Sequence, residues 1–358
     1  MRTLPRRPSR FKGLTVGLDV HKSFIQYVVL DAEGDEHSSG RFDAGRERLD
    51  AFVSALEQPA QFALEACSSF LWVHQRLAEC VGLEQVHVAQ PSRVRPIANS
   101  HEKNDHNDAW WLAYLLYEGR LPEAFVAQGE LLELRIACRE LRSETNRRAD
   151  LIRRFRSHLL QSGIQMSGSS FHTKRSRDQA RQITEQLPGV RSLACRQILE
   201  QIERIDGQVA YWLEKITLLC ASIEEVHLLM NEMPGFGLIC AATLWAELGD
   251  PRRYHSAKAY AKASGLTPAE RSSGGRTIHG SISRAGSAHA RWALTRAVIG
   301  AIRCKQQPGA AIRRWVLARK KRQPMRKVVV AGGRKLAEGV CRLFNWGECF
   351  DVAKGFGA

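Results

Sequence analysis

Apolar residues in the first hundred positions gather in short continuous runs, and those in the middle of the chain recur at helical spacing. Leu14 to Val20 and Phe24 to Leu30 are runs of buried-strand length, and Asp31-Ala32-Glu33-Gly34 follows with turn chemistry. His37 to Phe42 completes a predicted three-strand meander. Residues 46–58 set Leu49, Phe52, Val53 and Leu56 on one helical side. Gln61 to Ala66 is a further strand candidate, Ser69 to Cys80 a helix, Val86 to Ala89 a fifth strand, and Asn104 to Glu118 a helix. Three strands, a helix, then alternating strands and helices is an α/β order with a mixed sheet.

From Ile198 the period changes. Ile198, Ile202, Ile205, Val209, Trp212, Ile216, Leu219, Ile223 and Val226 follow an unbroken 4-3 spacing, interrupted in quality only by Gly207. A poorer register runs from Leu134 through Cys138, Leu141 and Ile152 to Leu159. A break is expected around 163–190, where Gly163, Gly168 and Pro188-Gly189 fall. Two such segments predict an antiparallel arm or a dimer coiled coil; the plainer alternative is two core helices of a bundle. Met233-Pro234-Gly235-Phe236-Gly237 then separates two helices. It is either a helix-hairpin-helix-like turn, with Gly235 and Gly237 letting backbone N–H groups approach a phosphate, or an ordinary tight turn. Residues 255–265 read as helix, 266–286 as a Gly/Ser-rich loop, and 287–304 as helix. The resulting division is a basic flexible tail over 1–12, an α/β domain over 13–126, a helical arm over 127–228 and a mostly helical C-terminal domain over 229–358.

Charge sharpens this division. The 358 residues carry a net +16, but from Pro251 onward 23 Lys/Arg stand against 4 Asp/Glu, so the last third is +19 and the remainder −3. Such a footprint expects a polyanion, most simply nucleic acid. No stretch of eighteen apolar residues predicts a membrane span, and no apolar run follows the N-terminal arginines to suggest a secretory signal. Nine cysteines without a Cys-x-x-Cys pair fit reduced thiols in a cytosol and give no zinc-site signal.

Four acids stand out. Asp19 lies inside the first apolar strand and Glu65 ends a later one, while Asp105 and Asp108 are three apart at a helix start and share one face. A strand-buried acid needs a partner or a metal. Two strand acids and an i, i+3 helix pair can gather hard oxygen ligands for two Mg²⁺ ions acting on a phosphodiester; singly, Asp105 and Asp108 serve equally well as helix-capping charges. His21 and His106 flank these acids as possible hydrogen-bonding neighbours, and Lys22 is placed to neutralise a phosphate. Trp110 and Trp111 face different directions on one helix and suit core packing.

Gly17-Leu18-Asp19-Val20-His21-Lys22, Ala63-Leu64-Glu65-Ala66 and Lys103-Asn104-Asp105-His106-Asn107-Asp108-Ala109 resemble the acidic motifs of the DEDD insertion-sequence transposases of the IS-one-ten group, the bridge-RNA-guided recombinases. The resemblance continues through Pro234-Gly235-Phe236-Gly237, Gly265-Leu266-Thr267-Pro268, Ser272-Ser273-Gly274-Gly275 and Ser283-Arg284-Ala285-Gly286, leaving out only the first dozen residues. It implies a RuvC-like domain of RNase H fold over 13–126, a coiled-coil arm, and a C-terminal transposase domain with a nucleophilic serine. By motif position that serine is Ser273, with Ser272 its immediate neighbour. Further implications are Mg²⁺ held by Asp19, Glu65, Asp105 and Asp108, a covalent phosphoserine intermediate on donor and target DNA, and a structured noncoding bridge RNA. A homo-oligomer, dimeric and then tetrameric in the synapse, and a bacterial or archaeal cytosolic, nucleoid-associated setting also follow from it. Arg271, Arg276 and Arg284 around the serine are expected on backbone phosphates, and Arg319-Lys320-Lys321-Arg322 forms a further basic cluster. Two rivals compete with this reading. One is a metal-only RuvC-like nuclease or Holliday-junction resolvase without a covalent intermediate; the other is a basic scaffold in which the acids are structural.

Overall fold

A computed structural model describes residues 11–94, 104–166, 171, 173–273, 276–304, 309–351 and 355–356, with only the backbone described at 92, 270–273 and 276–279. The chain forms two compact units, residues 1–126 and 127–358.

In the first unit the apolar runs become strands β1 (Leu14–Val20), β2 (Phe24–Leu30) and β3 (Glu36–Asp43), followed by α1 (Arg46–Ser54), β4 (Ala60–Glu65), α2 (Phe70–Val81) and β5 (Val86–Ala89). A single turn, α3 (Pro91–Val94), and α4 (Asp105–Tyr117) complete it. The sheet order is β3-β2-β1-β4-β5. The first three strands are antiparallel neighbours, and β4 and β5 run parallel to β1. This mixed sheet is consistent with the RNase H-like expectation. Alternation along β1 and β4 sorts the two faces. Val16, Leu18, Phe62 and Leu64 pack with Leu49, Val73 and Leu77 from α1 and α2. The opposite face carries Gly17 and Ala63, and α4 lies over it.

Gly17 sets the distance of that helix. A Cβ at this position would stand 2.0 Å from the Ala109 carbonyl oxygen and 2.6 Å from the Ala113 nitrogen, so only glycine lets α4 lie flat on β1. Both opposing atoms are helix backbone, which cannot rotate away. Gly17→Ala should therefore displace α4, cost about 1–3 kcal/mol and lower the thermal midpoint. An unchanged midpoint in a thermal melt would show that the helix does not rest on this glycine.

The second unit is built from helices. Long helices α5 (Gly129–Leu160) and α7 (Gly189–Cys220) pair antiparallel, with α6 (Lys174–Glu185) between them in sequence. Leu151, Ile152, Phe155 and Leu159 of α5 meet Cys195, Ile198, Leu199, Ile202 and Ile205 of α7 at one end. At the other end Leu134, Ala137, Cys138 and Leu141 join Ile216 and Cys220 in the core of the remaining helices. The seam predicted from the heptad is thus filled within the chain. Two expectations are corrected here. The heptad is not one helix: α7 stops at Cys220 and α8 (Glu224–Glu232) begins after a short turn. The break expected at 163–190 contains α6, which starts at a Thr173 cap accepting from the Ser176 N–H.

After α8 come α9 (Leu238–Leu248), α10 (Ala257–Ala263), strands β6 (Pro268–Ser273) and β7 (Arg276–Ile282), then α11 (Ala288–Arg303), α12 (Gly309–Lys320) and α13 (Met325–Trp346). The Gly/Ser-rich loop expected at 266–286 is instead an antiparallel hairpin. Gly235 has φ +80°, and a Cβ there would lie 2.1 Å from the Ala297 carbonyl oxygen, so this glycine is committed to close packing under α11. Gly237 caps α9 with open space around its Cα, which leaves that helix start accessible.

Candidate active site

Parallel pairing of β1 with β4 aligns Leu18 with Leu64, and the next residue on each strand is Asp19 and Glu65. By alternation both carboxylates leave the sheet on the face that carries Gly17 and Ala63, where α4 packs. Asn104 starts α4 by accepting from the Asn107 N–H at 2.7 Å, which places Asp105 and Asp108 in its first turn. The helix N-terminus and the ends of two parallel strands therefore meet at one edge of the sheet.

His21 links these elements. Its Nε2 lies 2.9 Å from Asp19 Oδ2 and 3.6 Å from Asp105 Oδ1. One ligand atom each from Asp19, His21 and Asp105 falls within 4.8 Å of the others. Burial raises the Asp19 carboxyl above its usual range; the charge and hydrogen bond of His21 oppose this, and the Asp108 and Asp105 charges add to it. Asp108 is thus within electrostatic reach of Asp19 although it lies outside the three-residue cluster. A carboxylate whose ionisation is opposed first by burial and then by neighbouring acids, as that of Asp19 is, fits a cation, whose charge offsets both. His106 turns away, to Glu36 Oε1 at 3.1 Å. Trp110 stacks on Tyr114 with centroids 4.8 Å apart and meets Trp111 edge-on, a packing arrangement. His21 was foreseen only as a neighbour of Asp19; the signal for more was its i, i+2 spacing across the end of β1.

The predicted serine sits in the second unit. Ser272 and Ser273 end β6, aligned with Thr277 and Arg276 on β7. Their side chains, like those of Arg271 and Arg276, and all of Gly274 and Gly275 lie outside the described residues. The Ser283 N–H donates to the Thr267 carbonyl at 2.8 Å, and Arg284, exposed at φ +55°, begins the turn into α11. Arg291 Nη1 donates to the carbonyls of Ser264, Arg284 and Gly286, binding both hairpin ends to α11. Arg319, Lys320, Lys321 and Arg322 are exposed at the end of α12, with the Arg319 guanidinium 4.7 Å from the Trp315 ring centroid.

Beneath the hairpin base lies a buried carboxylate that sequence reasoning did not find. Glu247 is 2% exposed and accepts from Arg139 Nε at 2.7 Å, Arg139 Nη2 at 3.0 Å and the Ser287 hydroxyl at 2.8 Å. Ser287 in turn caps α11 by accepting from the His289 and Ala290 N–H groups. Burial would push the Glu247 carboxyl up, but the Arg139 hydrogen bonds and charge, the Ser287 bond and the Arg135 charge together hold it below its usual range. A lowered carboxyl contributes stability above the ordinary carboxylate range and loses it as pH falls through the lowered value. Glu247→Gln should accordingly cost about 1–2 kcal/mol at neutral pH, a modest figure because Arg139 is half-exposed. The gap between variant and native midpoints should close in acid; a gap independent of pH would assign the loss to packing rather than charge.

With this geometry in view, likenesses to known proteins are informative. Residues 16–164 match a family model described as a transposase of the DEDD IS110 type, and residues 227–313 match one described as the transposase IS116/IS110/IS902 family. A probable family 20 transposase of Pseudomonas aeruginosa is 24% identical, over 94% of this chain and 98% of its own. The transposase for insertion sequence element IS1328 of Yersinia enterocolitica is 26% identical, over 90% of this chain and 94% of its own. That for element IS1111A of Coxiella burnetii is 24% identical, over 96% and 93% respectively. The first match spans the acids and the second the helices that lead into and follow the serine hairpin.

Proposed function

The chain belongs to the IS110-type DEDD transposases, and from that premise we propose that it cuts and rejoins DNA through a phosphoserine intermediate at Ser273, with Mg²⁺ held by Asp19, Glu65, Asp105 and Asp108. The observation that carries the metal site is the approach of Asp19, His21 and Asp105 to within 4.8 Å at the edge where β4 also ends. Bound Mg²⁺ supplies Lewis-acid polarisation of the phosphodiester and lowers the cost of an oxyanion. The acids are oxygen donors for it, and His21 holds Asp19 and Asp105 in one orientation.

Ser273 Oγ forms the new bond to phosphorus, the bond from phosphorus to the departing sugar oxygen breaks, and the serine proton passes to solvent while the departing oxygen takes one up. One phosphodiester replaces another, so a strand hydroxyl can later reverse the step and join to a new end without an energy source. Hydrolysis would forfeit this. Arg271, Arg276 and Arg284 hold the flanking phosphates, and the exposed 319–322 cluster extends the basic surface. A homo-oligomer, dimer or tetramer, brings the serine of one protomer beside the acids of another. A structured noncoding bridge RNA selects donor and target, which leaves the protein to read backbone and shape. The reaction belongs in the cytosol, on the nucleoid; among the described residues no helix is long and apolar enough to cross a membrane.

The test is denaturing electrophoresis of the native protein after reaction with labelled donor and target DNA, in the presence of the element's noncoding RNA and Mg²⁺. Mass spectrometry of the DNA-linked peptide follows. An adduct on the peptide holding Ser272 and Ser273 is expected. Metal-dependent cleavage without any adduct would support the resolvase instead, and neither cleavage nor adduct would leave a scaffold.

A further inference from the structure

The two ends of the β6–β7 hairpin pass each other at a crossing built from two glycines. A Cβ at Gly286 (φ +141°) would stand 2.0 Å from the Ala263 carbonyl oxygen and 3.0 Å from the Gly265 nitrogen. A Cβ at Gly265 (φ +68°) would stand 2.4 Å from Arg291 Nη1, so the guanidinium occupies the space that a side chain there would take. From this place Nη1 reaches the Ser264 carbonyl at 3.2 Å on the outgoing end. On the returning end it reaches the Gly286 carbonyl at 3.3 Å and the Arg284 carbonyl at 3.4 Å. Arg284 is the one non-glycine residue at positive φ among the described residues. That conformation is disfavoured for a residue with a side chain and persists where its surroundings hold it. Both sides of the crossing are anchored. Leu266 is buried against Gly333 of α13, and Arg291 stands one helical turn after Ser287, which caps α11 and donates to Glu247.

Beyond the crossing, β6 and β7 form a sheet of two strands, which is marginal by itself. Ser273 is the sixth residue of β6, about 17 Å along the strand from Pro268. A turn of about 10° at the crossing would swing it by about 3 Å, as far as the whole gap between reacting atoms in a productive approach. We propose that Arg291 is the positioning residue of the serine hairpin: its guanidinium locks the crossing of Gly265 and Gly286 and so sets the direction in which Ser273 meets the phosphodiester. It acts through the three carbonyls and touches neither DNA nor metal in this role. The inference rests on the assignment of Ser273 proposed above, and its signature is a defect in attack rather than in binding.

The experiment uses the full chain with Arg291→Met, which keeps the side chain's bulk without its donors, and Arg291→Lys, whose ammonium ends one bond short of Nη1. Adduct formation is timed at saturating DNA with Mg²⁺ and the element's noncoding RNA. DNA affinity is read by fluorescence anisotropy, and amide hydrogen exchange is followed on peptides from the hairpin, α9 and α11. Arg291→Met should slow the adduct about 100-fold at saturating DNA, leave DNA affinity close to native, and speed exchange in the hairpin while α9 and α11 stay protected. Arg291→Lys should fall between Arg291→Met and native. An arginine with only a structural role would lower the thermal midpoint without changing the rate per folded molecule, and that result would overturn the proposal. Faster exchange in α9 and α11 together with the hairpin would overturn it as well, because Arg291 would then hold the helical core. Should Arg291→Met fold poorly, Arg291→Lys is read in its place, and a native rate with native hairpin exchange there is the overturning result. A wild-type protein that forms no adduct sinks the serine assignment and leaves hairpin exchange to decide the clamp. A wild type and an Arg291→Met protein that form the adduct equally fast sink the clamp alone.

Discussion

Asp105→Asn should abolish metal-dependent cleavage, by about three orders of magnitude or more, while leaving the thermal midpoint close to native. The carboxylate is half-exposed at the first turn of α4 and carries no core packing, so its loss leaves the helix in place. Asn preserves shape and hydrogen-bonding capacity but removes the charge that a hard cation requires. The effect on chemistry is therefore expected to be far out of proportion to the effect on folding. Isothermal titration with Mg²⁺ or Mn²⁺, run beside the cleavage assay, separates the alternatives. Weakened metal binding together with lost cleavage is the expected pair, and native-like cleavage in the variant would remove Asp105 from the site.

Ser273→Ala should eliminate the covalent adduct and recombination together, whereas Ser272→Ala should retain both. Nothing else on a serine's side chain can replace an attacking oxygen, so the loss is expected to be complete within detection rather than partial. Alanine is tolerated at the end of a two-stranded hairpin, and the fold and nucleic-acid affinity should survive. An adduct persisting in Ser273→Ala would refute the assignment, and loss confined to Ser272→Ala would move the nucleophile by one position. DNA nicked by Ser273→Ala in the presence of Mg²⁺, without linkage, would show that the acids work with water alone.

The sequence was most legible where burial on both faces of the sheet demanded it. β1, β2 and β5 begin and end where their apolar runs do; β1 and β2 lie inside the sheet, where covered strands are mostly apolar, and β5 at its edge is a short run of four. The acids of the site were visible for the same reason, as polar interruptions of those runs. The β6–β7 hairpin was read as loop because Ser, Arg and Thr dominate it and no alternation with apolar residues marks its faces. The Gly274-Gly275 dipeptide between the two segments was the overlooked signal. The division of the heptad at Ala221–Ile223 was invisible because the turn keeps the phase: Leu219, Ile223 and Val226 all still face the core. Gly17 and Glu247 were out of reach of any local pattern, since their roles depend on a helix about ninety residues away in one case and an arginine 108 residues away in the other.

Within the seam of the two long helices, an ion pair between Arg148 and Asp206 fixes how they mesh. It lies between two apolar clusters, Leu134 to Leu141 on one side and Leu151 to Leu159 on the other, in a seam whose hydrophobic contacts repeat every heptad. Apolar contacts of that kind would tolerate a slip of seven residues, a sliding of about 10 Å along the axis. Such a slip would part the two charges and bury each of them among hydrocarbon. The pair thus works as a keyway: it admits one meshing of α5 with α7 and rejects the heptad-shifted ones.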